Sequence, residues 1–161
     1  MTKALRSAAL LLVATVAPAL AQVEVKGVLG TASFLDDGNN HLNLGGAARF
    51  YLVGRFSVEA EVAYLRESAT HNDVIVSGNV AYDLRSLDRR VVPYVVAGAG
   101  GLWSRYSYFA SDFSGVDPLA SGGGGVKIYF AGNWFAAPEF RIGWPPHGRF
   151  TVAVGYTRRS R

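Results

Sequence analysis

The sequence predicts an all-β fold, an eight-stranded antiparallel up-and-down barrel that crosses a membrane. Three observations predict it. Beyond residue 22, apolar and other residues alternate with period two, and no useful length of chain repeats at helical spacing. The alternating segments can be counted as eight, with short and long connections in turn. The composition, with 19 Gly, 8 Tyr, 9 Phe and 3 Trp, favours strands over helices.

The segments fall at about 22–33, 41–52, 55–67, 73–85, 91–104, 119–130, 134–144 and 149–158. RFTVAVGYT is the plainest: Phe150, Val152, Val154 and Tyr156 share one face, opposite Thr151, Ala153, Gly155 and Thr157. In FSVEAEVAY, Phe56, Val58, Ala60, Val62 and Tyr64 oppose Ser57, Glu59, Glu61 and Ala63. In DVIVSGNVAYDLR, Val74, Val76, Val80 and Tyr82 oppose Ser77, Asn79, Asp83 and Arg85. WFAAPEFRIGW follows suit, with Trp134, Phe140, Ile142 and Trp144 opposite Glu139 and Arg141. Pro138 lacks the amide proton that a ladder needs, so a local bulge is expected there.

Short turns are expected at 53–55, 86–90 and 131–133, and longer loops at 34–40, 68–72, 105–118 and 145–148. An even strand number with this asymmetry is the pattern of a bacterial outer-membrane barrel, whose short turns and termini face the periplasm. The faces decide for the membrane. A soluble barrel keeps its apolar face inside; here the apolar face ends in aromatics and the other carries small residues and single charges. Trp134 and Trp144 bracket a segment that rises about 25 Å, at about 3.3 Å per residue and a tilt of about 40°. Phe56, Tyr64, Phe150 and Tyr156 extend the same aromatic girdles. The competing reading is a soluble periplasmic or secreted barrel that binds a small apolar ligand.

The first 21 residues stand apart. Lys3 and Arg6 precede an apolar run from Ala8 to Ala17, and Ala19-Leu20-Ala21 is an A-x-A cleavage site. This is a signal peptide at 1–21, too short in its apolar run for a spanning helix, followed by one barrel domain over 22–161. Its removal takes two of the 16 basic residues, leaving 14 against 12 acidic, a net charge of +2. That is no basis for nucleic-acid binding. The absence of cysteine excludes disulfides and thiolate metal sites.

By alternation, Glu24, Lys26, Arg49, Glu59, Glu61, Asp83, Arg85, Lys127, Glu139 and Arg141 point inward, five acidic and five basic. Isolated charges in a narrow interior are costly and paired ones tolerable, and eight strands enclose just enough room for side chains. The expectation is a closed, salt-bridged lumen around Arg49, Glu59, Glu61, Lys127, Glu139 and Arg141, with Glu24 and Arg85 solvated at the rims.

FYLVGRFSVEAEVAYLR (50–66), VPYVVAGAGGLW (92–103) and SGGGGVKIYFAGNWFAAPEFRIGW (121–144) resemble the small outer-membrane β-barrel proteins of the OmpA/OmpX type. The resemblance covers essentially all of 22–157 and implies an eight-stranded barrel in a Gram-negative outer membrane, inserted by the barrel assembly machinery. Its motifs encode barrel geometry and membrane fit, not chemistry. Two departures stand out: the chain closes as TRRSR instead of on an aromatic residue, and no peptidoglycan-binding domain follows strand eight.

No motif in the chain carries an enzyme's chemistry. SGGGGVK lacks the spacing and the following Ser/Thr of a phosphate loop. His41, His71 and His147 fall at the long-loop end, where they read as wetted loop residues rather than metal ligands. Some eight-stranded outer-membrane barrels modify lipid A with a rim His and a Ser, but no His-x-Ser occurs here. The loop 105–118, with Tyr106, Tyr108, Phe109 and Phe113, is the candidate contact for an extracellular partner or neighbouring lipopolysaccharide. Arg55, Arg89, Arg90, Arg158, Arg159 and Arg161 gather at the short-turn end, within reach of anionic headgroups. The expected protein is thus a non-enzymatic envelope barrel without cofactors.

Overall fold

In the computed structural model, residues 22–35, 40–66, 71–108 and 111–158 are described; of His71, 105–108 and 111–114 the backbone alone is described. Among these residues the strands are β1 (Val23–Phe34), β2 (Asn40–Val53), β3 (Phe56–Arg66), β4 (His71–Asp83), β5 (Val91–Tyr108), β6 (Ser111–Ala131), β7 (Trp134–Trp144) and β8 (His147–Arg158). Each pairs antiparallel with the next, and β8 returns to β1, from Val23↔Arg158 to Phe34↔His147, closing the barrel. The all-β up-and-down expectation is borne out.

Closure leaves no free edge along the paired lengths, so the backbone polar groups are satisfied within the sheet. Alternation then sets the two faces. Along β8, from Phe150 to Thr157, exposed and buried residues alternate without a break. The outer face is the greasy one: Phe56, Phe140, Ile142, Phe150, Val152 and Trp144, the last 68% exposed, all point away from the lumen. That arrangement is the inverse of a soluble barrel. The girdle residues Trp134, Trp144, Phe56, Tyr64, Phe150 and Tyr156 all lie on this outer face, and Trp134 meets Tyr156 edge-to-face at 5.5 Å.

Two of the short turns are built alike. LVGRF (52–56) and FAGNW (130–134) each place a glycine in the left-handed region, Gly54 at φ 59° and Gly132 at φ 57°. In both, the register slips just before the turn, between Tyr51 and Val53 and between Tyr129 and Ala131, which leaves Leu52 and Phe130 facing outward.

Several expectations need correction. No bulge forms at Pro138. The β6–β7 register is the same on both sides of it, Gly125↔Glu139 and Ile128↔Ala136, and the two pairs between are missing from the ladder. A proline removes one donor without adding a residue, so it opens a gap and shifts nothing. The irregular loop expected at 105–118 is mostly sheet: β5 and β6 stay paired from Ser104↔Gly115 to Tyr108↔Ser111. Phe109, Arg159 and Arg161 lie outside the described residues, as do the side chains of Tyr106, Tyr108 and Phe113.

Candidate functional site

The interior is the feature with organised chemistry. Near the short-turn end, Lys127 Nζ lies 3.1 Å from Glu24 and 2.9 Å from Asp83. Its ammonium also donates to the Tyr51 hydroxyl at 2.6 Å, and that hydroxyl donates to Asp83 at 2.8 Å. Glu24 and Asp83 come from the end of the barrel where rim solvation was expected for Glu24; it is instead 1% exposed. Arg85 lies past the end of β4, exposed, and takes no part in the lumen.

One layer higher, Glu59 receives three cations. Lys26 Nζ approaches to 3.0 Å, Arg49 donates from Nε at 2.8 Å, and Arg141 Nη2 donates at 3.2 Å. Arg49 Nη2 is 2.7 Å from the same oxygen, but its angle makes this an ion contact and not a second hydrogen bond. The Arg49 guanidinium also sits 4.8 Å from the ring of Tyr94, whose hydroxyl donates to Glu139 at 2.7 Å. Arg141 is the hub towards the long-loop end. It reaches Glu139 at 2.6 Å through Nε and Glu61 at 3.1 Å through Nη1, which also donates to Asn79 at 3.2 Å. Arg149 completes the chain by meeting Glu61 at 2.8 Å.

These contacts tie five cations, Lys26, Arg49, Lys127, Arg141 and Arg149, to five carboxylates, Glu24, Glu59, Glu61, Asp83 and Glu139. The six residues singled out by alternation, Arg49, Glu59, Glu61, Lys127, Glu139 and Arg141, are all buried and in one network. Sequence reasoning missed Arg149, Asn79 as a member, and the inward aromatics Tyr51 and Tyr94. Arg149 shares the parity of Thr151, which was the available signal. Tyr51 shares the parity of Arg49 in the same way, whereas the segment of Tyr94 carries no inward charge to set its face.

The rest of the interior combines two apolar clusters with buried polar side chains such as Asn43, Asp73, Ser104 and Thr151. Ala63, Leu65, Ile75, Leu102 and Leu119 cluster towards the long loops, and Val92, Tyr129, Phe135 and Ala153 towards the short turns. Phe34 lies between His41 and His147, with ring centroids 5.3 Å from each. Both histidines are on strands and buried, not wetted loop residues as expected; His147 Nδ1 is 2.6 Å from the Pro145 carbonyl. The side chain of His71 is outside the described residues.

A closed antiparallel sheet with an apolar exterior and an ion-paired interior defines a transmembrane β-barrel. The chain belongs to the outer membrane protein beta-barrel domain family, whose model matches residues 7–157. No curated protein sequence matches it. Among solved structures, the N-terminal β-barrel domain of Pseudomonas aeruginosa OprF is similar with a TM-score of 0.71 and 17% identity, covering 86% of this chain and 98% of that one. Neisserial surface protein A is similar with a TM-score of 0.69 and 13% identity, covering 84% and 95%. The outer membrane enzyme PagL is similar at a TM-score of 0.50 and 13% identity, covering 83% and 98%. These identities support the fold alone.

Proposed function

We propose that this chain is a non-enzymatic outer-membrane barrel, its lumen closed by its own ion pairs, that displays loops at the cell surface for a structural or adhesive role. The observation that carries this reading is Glu59, 2% exposed and held by Lys26, Arg49 and Arg141 from three different strands. A carboxylate held from three sides cross-braces the interior, and an eight-stranded barrel has little room for anything more. Processing after Ala21 and insertion by the barrel assembly machinery complete the proposed route to the membrane. The partners on this reading are outer-membrane lipid, lipopolysaccharide and an extracellular contact at 105–118.

A lipid A-modifying enzyme is the second reading, favoured by the likeness to PagL. Against it, His41 and His147 point into the lumen, where a membrane lipid does not reach. Mass spectra of lipid A from cells with and without the protein discriminate. The proposed role predicts identical acyl numbers, and a difference of one acyl chain would overturn it. A soluble, ligand-binding barrel predicts release into the periplasmic fraction without detergent; the proposed role predicts retention in the membrane pellet. Deleting 106–116 is expected to leave a heat-modifiable barrel that has lost its surface interaction.

A further inference from the structure

At the short-turn end, periplasmic in barrels of this kind, a basin of about 840 Å³ opens between the β2–β3 turn and the segment after β4. Arg55, Arg85 and Arg89 line it together with one carboxylate, Asp88, so the lining carries a net charge of +2 (3 − 1). Arg55 is held in place. Its Nη1 donates to the Leu84 carbonyl at 2.9 Å, and its guanidinium lies 5.6 Å from the centre of the Tyr82 ring. That ring packs 4.8 Å from Phe56, which faces lipid.

Immediately along the outer wall lies a second depression, an apolar groove of about 250 Å³ lined by Phe56, Val80, Tyr82, Val95 and Ala97. The same outer face continues past it to the cross-strand pair Gly78↔Ala99, where a Cβ on Gly78 would meet nothing within 4 Å. Tyr82 therefore links the two depressions: it lines the groove, and the guanidinium over its ring belongs to Arg55, which lines the basin. Aromatic residues at this depth mark the headgroup level of a bilayer.

We infer that basin and groove are one site for an anionic glycerophospholipid of the periplasmic leaflet. Its phosphate sits among Arg55, Arg85 and Arg89, and one acyl chain lies in the groove over Ala97. Guanidiniums bind phosphate oxygens through charge-assisted hydrogen bonds, and the quaternary ammonium of a choline headgroup cancels the phosphate charge and meets a basin of like sign. Processing after Ala21, proposed above, would add the α-amino group of Gln22, which also lines the basin. Free phosphate shares the headgroup chemistry but leaves the groove unfilled, so lipid and free ion can be told apart.

The test is native mass spectrometry of the full, refolded chain in detergent with phosphatidylglycerol, phosphatidylcholine or inorganic phosphate, each variant first checked for heat-modified mobility. The site predicts one retained phosphatidylglycerol, no comparable phosphatidylcholine, and no displacement by inorganic phosphate. Arg85→Gln with Arg89→Gln should weaken retention by about 25-fold, roughly five-fold per charge. Ala97→Phe should weaken it as well by filling the groove while leaving all three arginines, and it keeps the proposal testable if the arginine variants misfold. Arg90→Gln with Arg158→Gln, which lie outside the basin, should leave retention unchanged. Equal retention of phosphatidylcholine, displacement by phosphate, or an equal loss in the Arg90/Arg158 variant would each overturn the site.

Discussion

Glu59 is the side chain whose loss should cost the barrel most. Three cations converge on it, so Glu59→Gln leaves buried positive charge facing positive charge. Removing one partner of a buried pair typically costs about 3–5 kcal/mol, and a loss of that size is expected in urea unfolding from lipid vesicles. Arg141→Leu removes the guanidinium that Glu59, Glu61 and Glu139 share, leaving Glu61 to Arg149 and Glu139 to Lys26 and Tyr94, and should lower the temperature at which the heat-modified band appears. If Arg141→Leu unfolds at the wild-type temperature, the guanidinium contributes nothing to closure. At this scale, alternation put Glu59 and Arg141 on the inner face from spacing alone. It had no access to which groups meet across the lumen. Glu59 and Arg141 are 82 residues apart, and only barrel closure and strand register bring them to 3.2 Å. Tyr94 is the sharper case: its segment carries no charge to mark a face, and it lies on the buried side with Val92 and Val96, where its hydroxyl finds Glu139.

Among the elements, β7 is interrupted on its β6 side at Pro138. The Pro138 carbonyl faces Gly125 of β6, since a Cβ on Gly125 would lie 2.6 Å from it. The missing amide proton therefore also belonged to the β6 side, which is where the two ladder pairs are absent. Pro138→Val supplies that donor and should raise stability by about 1 kcal/mol, with slowed amide exchange across 125–128. Unchanged exchange there would mean that the gap has another cause. The outer face of the same strand gives an opposite result: Phe140→Arg places a charge against lipid and should cost about 2–4 kcal/mol near the midplane. Strand number, order and most boundaries were legible because period two and glycine turns are local signals. The extension of β5 and β6 beyond residues 104 and 119 was not, since Ser107, Ser111 and Gly115 read as loop and are held only by pairing with each other's strand. His147 was misjudged for the same reason, since β8 starts two residues before the expected 149, whereas His41 already opened the segment 41–52 with the parity of the inward Arg49, and that signal was overlooked.

For the whole molecule, two solvents organise everything: lipid outside, and a narrow polar interior that must satisfy itself. The outer wall needs only apolar alternation, which any reader of the chain can see. The interior needs matched charges on six different strands, β1, β2, β3, β4, β6 and β7, with Arg149 from β8 added at the long-loop end. The central claim is that this interior is filled and braced rather than open. Single-molecule conductance in planar bilayers tests it most directly. The ion-paired lumen predicts no sustained porin-like current from the refolded protein, and a current gained when Glu59 and Arg141 are both replaced by alanine. A stable open channel of porin size in the unaltered protein would contradict the account.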